Sequence, residues 1–241
     1  MRTPFFLILI FLVLPVSSPA IDLFKDSKSF IGRGYLLDSE PKDLLFRLER
    51  KLAEDQRSAQ AVFTDLNGKE LVRETTGFND RMEVITYEVI QHQTGDRGKI
   101  EVAGDRLRFT KVSGGKTHIE EEKLVSNWVV GPSLVPLLVM RWSEIEQGIK
   151  IPVRLALWDR QETVGFELFK DRIERGEDGK ERLIVKMKPS NFIISALVNP
   201  IYFGFGKDGR SLDWVRGRVL PKRQVGSKLK DLDAELIYDV P

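Results

Sequence analysis

Apolar and polar residues alternate in many short runs along most of the chain. In the run "DLLFRLER", Leu44, Phe46 and Leu48 alternate with Arg47 and Glu49. Successive side chains of a β-strand point to opposite faces of the sheet, so this period of two predicts strands with one buried face and one face in water. Strands of this kind are typical of antiparallel sheets.

The last strand shows the alternation most clearly. Its apolar face would carry Leu232, Ala234, Leu236, Tyr238 and Val240. Its polar face would carry Asp231, Asp233, Glu235 and Asp239.

Clusters of Gly, Asn and Asp separate the runs and predict hairpin turns. Asn67-Gly68 is a residue pair that tolerates the positive φ of a two-residue hairpin. The clusters at 113–116, 176–181 and 206–210 predict further hairpin tips. The stretch at 220–231, which holds a proline and a glycine, predicts a long loop before the last strand.

Two segments break the period of two and predict short helices. In the first, 131–148, Ser133 can cap the start and Gly148 can end the helix. In the second, Ser190 can cap a helix that Pro200 must end. The pattern as a whole predicts a mainly β fold, a long antiparallel meander with two inserted helices.

The second of these segments belongs to the longest uncharged stretch of the mature chain, residues 189–206. Eight of its eighteen residues are Pro, Ser, Asn or Gly, so it is too interrupted to span a bilayer as one helix. A helix at 191–198 would be apolar almost all round and must be covered. It would then be a core plug or lid, which we favour, or the wall of a cavity for an apolar ligand; membrane insertion is the third interpretation.

The N-terminus predicts export. Arg2 precedes an apolar run from Phe5 to Val16, and small residues follow at Ser18 and Ala20, the pattern of a secretory signal peptide over residues 1–20. The run is shorter than the ~20 residues of a spanning helix, so we expect cleavage after Ala20, with an uncleaved anchor as the alternative. Residues 21–241 would then form a single β-rich domain in the periplasm.

Composition excludes several classes of function. The chain has no cysteine, two histidines and a net charge of +2, which argues against thiol chemistry, metal sites and nucleic-acid binding. His118, Glu120 and Glu122 would share a strand face and could bind a metal, but we favour a solvated acidic edge. We therefore expect no catalytic residues, no metal and no cofactor.

A basic segment offers a candidate site. Residues 206–230 hold eight Lys or Arg against two Asp. A strand over "DWVRGRV" would place Trp214, Arg216 and Arg218 on one face, an arrangement suited to an anionic head group at a membrane surface or a sugar phosphate. The alternative, which we favour, is a solvated strand face whose arginine stems lie on Trp214 and whose charges pair with the acidic last strand.

The segments "FTDLNGKELVRE", "VVGPSLVPLLVMRWSEIEQGIKIPVRL" and "KPSNFIISALVNPIYFGFGKDGRSLDWVRGR" resemble a group of uncharacterised exported proteins of Gram-negative bacteria. The likeness covers roughly Gly34 to Arg218. The layout also resembles, more distantly, that of outer-membrane lipoprotein carriers. That resemblance implies a strongly curved antiparallel sheet, a half-open β-barrel closed by helices, with a concave apolar face able to hold an acyl chain.

We therefore expect non-catalytic binding of a lipid or other amphipathic component of the cell envelope, with peripheral membrane contact or an envelope protein partner as further expectations. Two alternatives are an interaction module with a packed barrel and no ligand, and an enzyme acting on an envelope polymer. The expected apolar wall comprises Phe192, Ile193, Leu197, Tyr202, Phe203 and Phe205. The expected head-group residues are Trp214, Arg216 and Arg218.

Overall fold

The computed structural model describes residues 29–40, 42–196, 198–209 and 211–239, and its architecture is mainly β. The expected signal peptide and Leu197 lie outside the described residues. The first eight strands are β1 (Ser29–Leu36), β2 (Leu44–Leu52), β3 (Ser58–Thr64), β4 (Glu70–Phe78), β5 (Val84–Gln91), β6 (Asp96–Ala103), β7 (Arg106–Ser113) and β8 (Lys116–Lys123). The remaining strands are β9 (Trp128–Val129), β10 (Ile151–Leu157), β11 (Glu162–Arg175), β12 (Glu181–Pro189), β13 (Ile201–Gly206), β14 (Leu212–Val225) and β15 (Lys228–Asp239).

The described strands form one curved, unclosed sheet. Its order is β8-β7-β6-β5-β4-β3-β2-β1-β15-β14-β13-β12-β11-β10-β9. Strands consecutive in sequence are therefore neighbours in the sheet except β8 and β9, which form its two edges, and the first strand pairs with the last. All pairs are antiparallel apart from the short parallel contact of β9 with β10. The predicted curved antiparallel sheet is confirmed, and the described residues form three short helices rather than the expected two.

Hairpin turns follow the sequence pattern, with one correction. Gly68 has φ of +84° between β3 and β4, as the Asn-Gly pair predicts. The loop predicted at 220–231 is wrong, because β14 runs on to Val225 and a tight turn containing Gly226 leads directly into β15. A β-bulge between Val219 and Lys222 accommodates Pro221, which has no N–H to give to a ladder.

The helices are α1 (Gly131–Met140), α2 (Trp142–Glu146) and α3 (Phe192–Ser195). The first predicted helix is thus divided at Arg141, where the backbone leaves the helical region. The second is shorter than expected, and its cap is Asn191, whose side-chain oxygen accepts hydrogen bonds from the N–H groups of Ile193 and Ile194.

Side chains tie the edge strand β8 to β11. The carboxylate of Glu122 accepts hydrogen bonds from the backbone N–H and the hydroxyl of Thr163, at 3.1 and 2.6 Å. The amide of Gln161 donates to the carbonyl oxygen of His118 at 3.0 Å. Strand β8, at one edge of the sheet, is therefore joined to β11, near the other edge, by side-chain hydrogen bonds and not by a backbone ladder.

A second tie crosses the interior at the bulge of β14. The amide of Gln93 donates to the carbonyl of Lys222 at 2.8 Å and accepts from its N–H at 2.7 Å. Gln91 donates to the carbonyl of Leu220 at 2.9 Å. These amides satisfy backbone groups that the bulge removes from the ladder, and they hold β14 against the β5–β6 turn.

The buried residues form two hydrophobic cores. The helix-side core packs Leu134 and Leu138 of α1 and Ile145 of α2 against β10 to β13. The strand-side core is built by β2 to β7 and β15, with Trp158 from the β10–β11 turn packed against them. Helices fill the first core, whereas the second is enclosed almost wholly by strands.

Candidate ligand cavity

A cavity of about 1460 Å³ lies between the two cores. Strands β2 and β3, helix α1, strand β10 and strands β13 and β14 all contribute apolar walls. The residues that represent these walls are Leu48, Phe63, Leu134, Leu155, Phe203 and Val215. The rim carries exposed charged residues, among them Asp159, Arg160, Arg218 and Asp231. The arrangement suits a molecule with a large apolar part.

A row of residues crosses the inner face of the sheet and lines this cavity. Phe30 of β1 pairs in register with Arg50 of β2, Arg50 with Ala61 of β3, and Ala61 with Glu74 of β4. We call Phe30, Arg50, Ala61 and Glu74 the inner row. Because Ala61 is small, it leaves a recess between the charged side chains on either side of it.

The charged members of the inner row lie in an environment of low polarity. Burial raises the pKa of Glu74 to about 7, although a hydrogen bond from the Tyr87 hydroxyl and the charge of Arg50 oppose that rise. The Arg50 guanidinium lies 5.4 Å from the centre of the Phe30 ring, and burial lowers its pKa. Burial also raises the pKa of Tyr238, which lines the same wall.

Trp158 covers the inner face of the sheet beyond Glu74. A Cβ placed on Gly98 of β6 would lie 2.4 Å from the Trp158 ring, so only glycine permits this contact. The β10–β11 turn, which carries Trp158, thereby closes one side of the cavity.

A second row crosses the outer face of the sheet. Its members pair in register from β11 through β15 to β1, and we call them the outer row: Phe169, Lys186, Tyr202, Arg216, Glu235 and Tyr35. Aromatic and charged side chains are therefore direct neighbours across six strands.

Two cations bind the Glu235 carboxylate of the outer row. The Arg216 guanidinium stacks 4.3 Å from the centre of the Trp214 ring and bonds Glu235 at 2.9 Å. Lys42 pairs with the same carboxylate at 2.6 Å. Burial pushes the pKa of Glu235 up, but the hydrogen bonds from Lys42 and Arg216 outweigh it, and the pKa lies below its usual value.

A smaller pocket of about 420 Å³ lies beside the outer row and includes Tyr202, Trp214 and Arg216. Asn199 and Asp233 line both this pocket and the large cavity. A hydrogen bond of 3.1 Å from the Asn199 amide to the Asp233 carboxylate therefore lies where the two spaces adjoin.

The structure does not bring the predicted apolar wall together. Phe203 lines the cavity, whereas Tyr202, its neighbour in β13, lies at the outer pocket because consecutive strand residues face opposite ways. Phe205 is fully buried in the helix-side core against Trp142. Phe192 and Ile193 are 87% and 69% exposed and lie off the cavity wall. In this part of the chain, the residues that do line the cavity are Ile194 of α3 and Val198, which follows the helix.

The predicted head-group residues divide between the two spaces. Trp214 and Arg216 line the outer pocket, and Arg218 lies at the rim of the large cavity. Arg218 bonds Asp233 at 2.7 Å and Asp231 at 2.5 Å. The expected pairing of this strand with the acidic last strand is confirmed, while recognition of a head group by these arginines stays a prediction.

Sequence reasoning missed Arg50, Glu74 and Tyr87, although a signal was present. Arg50 continues the inward series of Phe46 and Leu48, and Glu74 stands two residues from the buried Val72. A charged residue at an inward position of an otherwise alternating strand marks a polar group inside the sheet.

The described residues hold neither a metal-binding cluster nor a membrane-spanning helix. They contain no group of three or more His, Cys, Asp or Glu that could hold a metal ion. Among the same residues, no helix has the length and apolar character needed to cross a membrane.

Comparison with known proteins gives a loose structural likeness. No family model and no curated protein matches the chain. Among solved structures, it is similar to a β-barrel-like protein of domain of unknown function DUF1849 from Brucella abortus, with a TM-score of 0.44 and 11% identity over 88% of this chain and 97% of the other.

Proposed function

We propose that the protein binds a lipid or another elongated amphipathic molecule in the cavity between its two cores, without catalysing a reaction. The observation that carries the proposal is the cavity of about 1460 Å³ with mainly apolar walls. Ordinary small-molecule pockets measure roughly 300–1,000 Å³, so this one has room for a larger apolar ligand.

The open interior disfavours the alternative of a packed interaction module. A barrel without a ligand is filled by its own side chains. Here α1 and α2 fill the helix-side core, but no described helix enters the strand-side half of the sheet. An apolar space of this size is costly to leave hydrated, and an apolar ligand offsets that cost.

We further propose that the protein is exported to the periplasm and meets a membrane at α3. Phe192 and Ile193 project into solvent, while Ile194 of the same helix lines the cavity. The helix contacts strand β12, which carries Lys186 and Lys188. Exposed apolar side chains beside lysines suit contact with an anionic bilayer, and the position would let a ligand pass between membrane and cavity.

The ligand proposal is tested by native mass spectrometry of the chain, expressed with its own N-terminus and purified from periplasm without detergent. We expect the loss of residues 1–20 and a stoichiometric adduct that organic extraction identifies as lipid. Val135→Trp on the cavity side of α1 should remove the adduct, whereas Met140→Trp on its exposed side should keep it. A clean apo mass that persists after incubation with envelope lipids would contradict the proposal.

The membrane proposal is tested by sedimentation with vesicles of phosphatidylglycerol. Phe192→Asp combined with Ile193→Asp should reduce bound protein several-fold. Ile119→Asp is the matched control, because Ile119 is also exposed but lies on the edge strand β8. Equal binding of the wild type and the double variant would exclude α3 as the contact.

A further inference from the structure

The recess of the inner row is a distinct part of the cavity wall. Arg50 and Glu74 lie on strands two apart, a separation of about 10 Å between backbones, and Ala61, which pairs in register with both, has only a methyl side chain. Around this recess the wall is apolar, with Phe30, Leu48 and Phe63 nearby. A ligand lying along the apolar wall can therefore place one polar end in the recess.

The charged and titratable groups that face Glu74 come from three other strands. Arg50 of β2 attracts its carboxylate, Tyr87 of β5 donates a hydrogen bond to it, and the Tyr238 ring of β15 lies close enough to interact with its charge. Asp159 of the β10–β11 turn acts on Tyr87, and Lys111 of β7 lines the cavity farther along. Arg50 is thus the cation nearest to Glu74 among its described electrostatic partners.

We propose that this recess is a head-group subsite for a long-chain carboxylate, which binds opposite Arg50 while Glu74 takes up one proton. The inference rests on the proposed function, since it names the ligand class for the same cavity. The proton comes from solvent, so Glu74 changes from a carboxylate to a neutral acid while the ligand keeps its negative charge. The charge near Arg50 is then the same before and after binding.

A carboxylate fits this recess better than other head groups. One guanidinium balances one negative charge and presents a fork that matches a carboxylate. A phosphate monoester carries about 1.5 to 2 negative charges near neutral pH, and the second charge would have no cation beside it in the recess. A neutral alcohol would leave the position opposite Arg50 without an anion once Glu74 is protonated.

The test is isothermal titration calorimetry of delipidated protein with decanoate, decanol and decyl phosphate. At pH 6.5 we expect decanoate to bind at least about tenfold more tightly than decanol. At pH 8, titrations in buffers of different ionisation enthalpy should show uptake of about one proton, and the affinity for decanoate should fall by about tenfold for each unit of pH above 7.

Two variants separate the roles. Arg50→Met should abolish the preference for decanoate over decanol and leave decanol binding within about twofold. Glu74→Gln should bind decanoate with no proton uptake and with little dependence on pH. Should Arg50→Met fail to fold, Ala61→Ile, which keeps both charges but fills the recess, should weaken decanoate more than decanol. Arg216→Met in the outer row is the matched control and should keep the preference.

The outcomes distinguish this inference from the proposed function. Equal binding of decanoate and decanol by the wild type and all variants would overturn the subsite and leave the cavity proposal standing. Loss of the preference in Arg216→Met alone would move the head group to the outer row and overturn the subsite. Tighter binding of decyl phosphate than of decanoate would also overturn it. A protein that binds none of the three chains would contradict the cavity proposal itself.

Discussion

The inner and outer rows mix aromatic and charged residues in similar ways but on opposite faces of one sheet. In the outer row, close partners offset the burial of the charge: Arg216 has both Trp214 and Glu235, and the buried Glu235 also has Lys42. In the inner row, Glu74 is enclosed and its pKa is displaced to about 7. A glutamate therefore has a lowered pKa on the outer face and a raised pKa on the inner face.

The difference shows where to look for function in a sheet of this kind. Ion pairs between exposed side chains contribute little, and the buried Glu235 has two cations beside it, so the outer row is explained by solubility and strand pairing. A buried charge costs several kcal/mol unless partners offset it, which makes its retention informative. Variants that change one row at a time test whether the two faces differ in this way.

The largest effect is expected for Glu74→Gln, in the pH dependence of stability. The folded-state pKa of Glu74, about 7, lies above the ordinary 4.5, so unfolding between these values releases a proton. The wild-type free energy of unfolding should therefore fall by about 3 kcal/mol from this group as pH rises from 4.5 to above 7. Urea unfolding at pH 5 and pH 8 should show that this loss is absent in Glu74→Gln.

Glu88→Gln is the control for that experiment, because Glu88 lies on β5 beside Tyr87 but faces solvent. It should retain the wild-type change between the two pH values. If Glu74→Gln also retains it, the inner row is not the electrostatically costly face and the comparison fails.

A smaller effect is expected for Arg216→Ala in the outer row. The substitution leaves the nearly buried Glu235 carboxylate with Lys42 and uncovers Trp214. We expect a loss of about 1–3 kcal/mol in the free energy of unfolding at pH 7, measured with urea. Arg216→Lys should recover part of it, since it restores the charge without the planar stacking. A loss below about 0.5 kcal/mol would show that Lys42 alone satisfies Glu235.

The smallest effect is expected for Arg218→Ala. Both of its partners, Asp231 and Asp233, also interact with other groups, and the arginine side chain is about half exposed. Unfolding in urea should reveal a loss of no more than about 0.5 kcal/mol, shrinking further in 0.5 M salt. A loss as large as that of Arg216→Ala would mean that exposure does not set the strength of pairs in this sheet.

Much of the fold could be predicted from the sequence, because alternation and turn residues are local signals. The last strand places Leu232, Ala234 and Leu236 in the strand-side core as its pattern predicts. The stretch at 220–231 could not be assigned locally, because Pro221 and Gly226 are as typical of a loop as of a bulge followed by a tight turn.

The candidate site was harder to predict because it depends on contacts between distant strands. The pairing of β1 with β15 brings Tyr238 to the wall that holds Arg50, and no local pattern encodes that closure. The alternation of β13 did separate Tyr202 from Phe203, so placing both on one wall misapplied a signal that the sequence contains. The aromatic and arginine content of β14 drew attention to the outer face, whereas a single inward Arg50 gives a weaker signal.

The side-chain hydrogen bonds between β8 and β11 constrain the width of the curved sheet less strictly than a backbone ladder would. A backbone ladder can change only in steps, because a slip by one residue turns every side chain to the other face. The contacts of Glu122 with Thr163 and of Gln161 with His118 follow no such repeat. They can lengthen or re-form with water while every ladder in the sheet stays in register. The seam between β8 and β11 is therefore not bound to the one-residue steps of a ladder, and a change in its width need not alter the register of any strand pair.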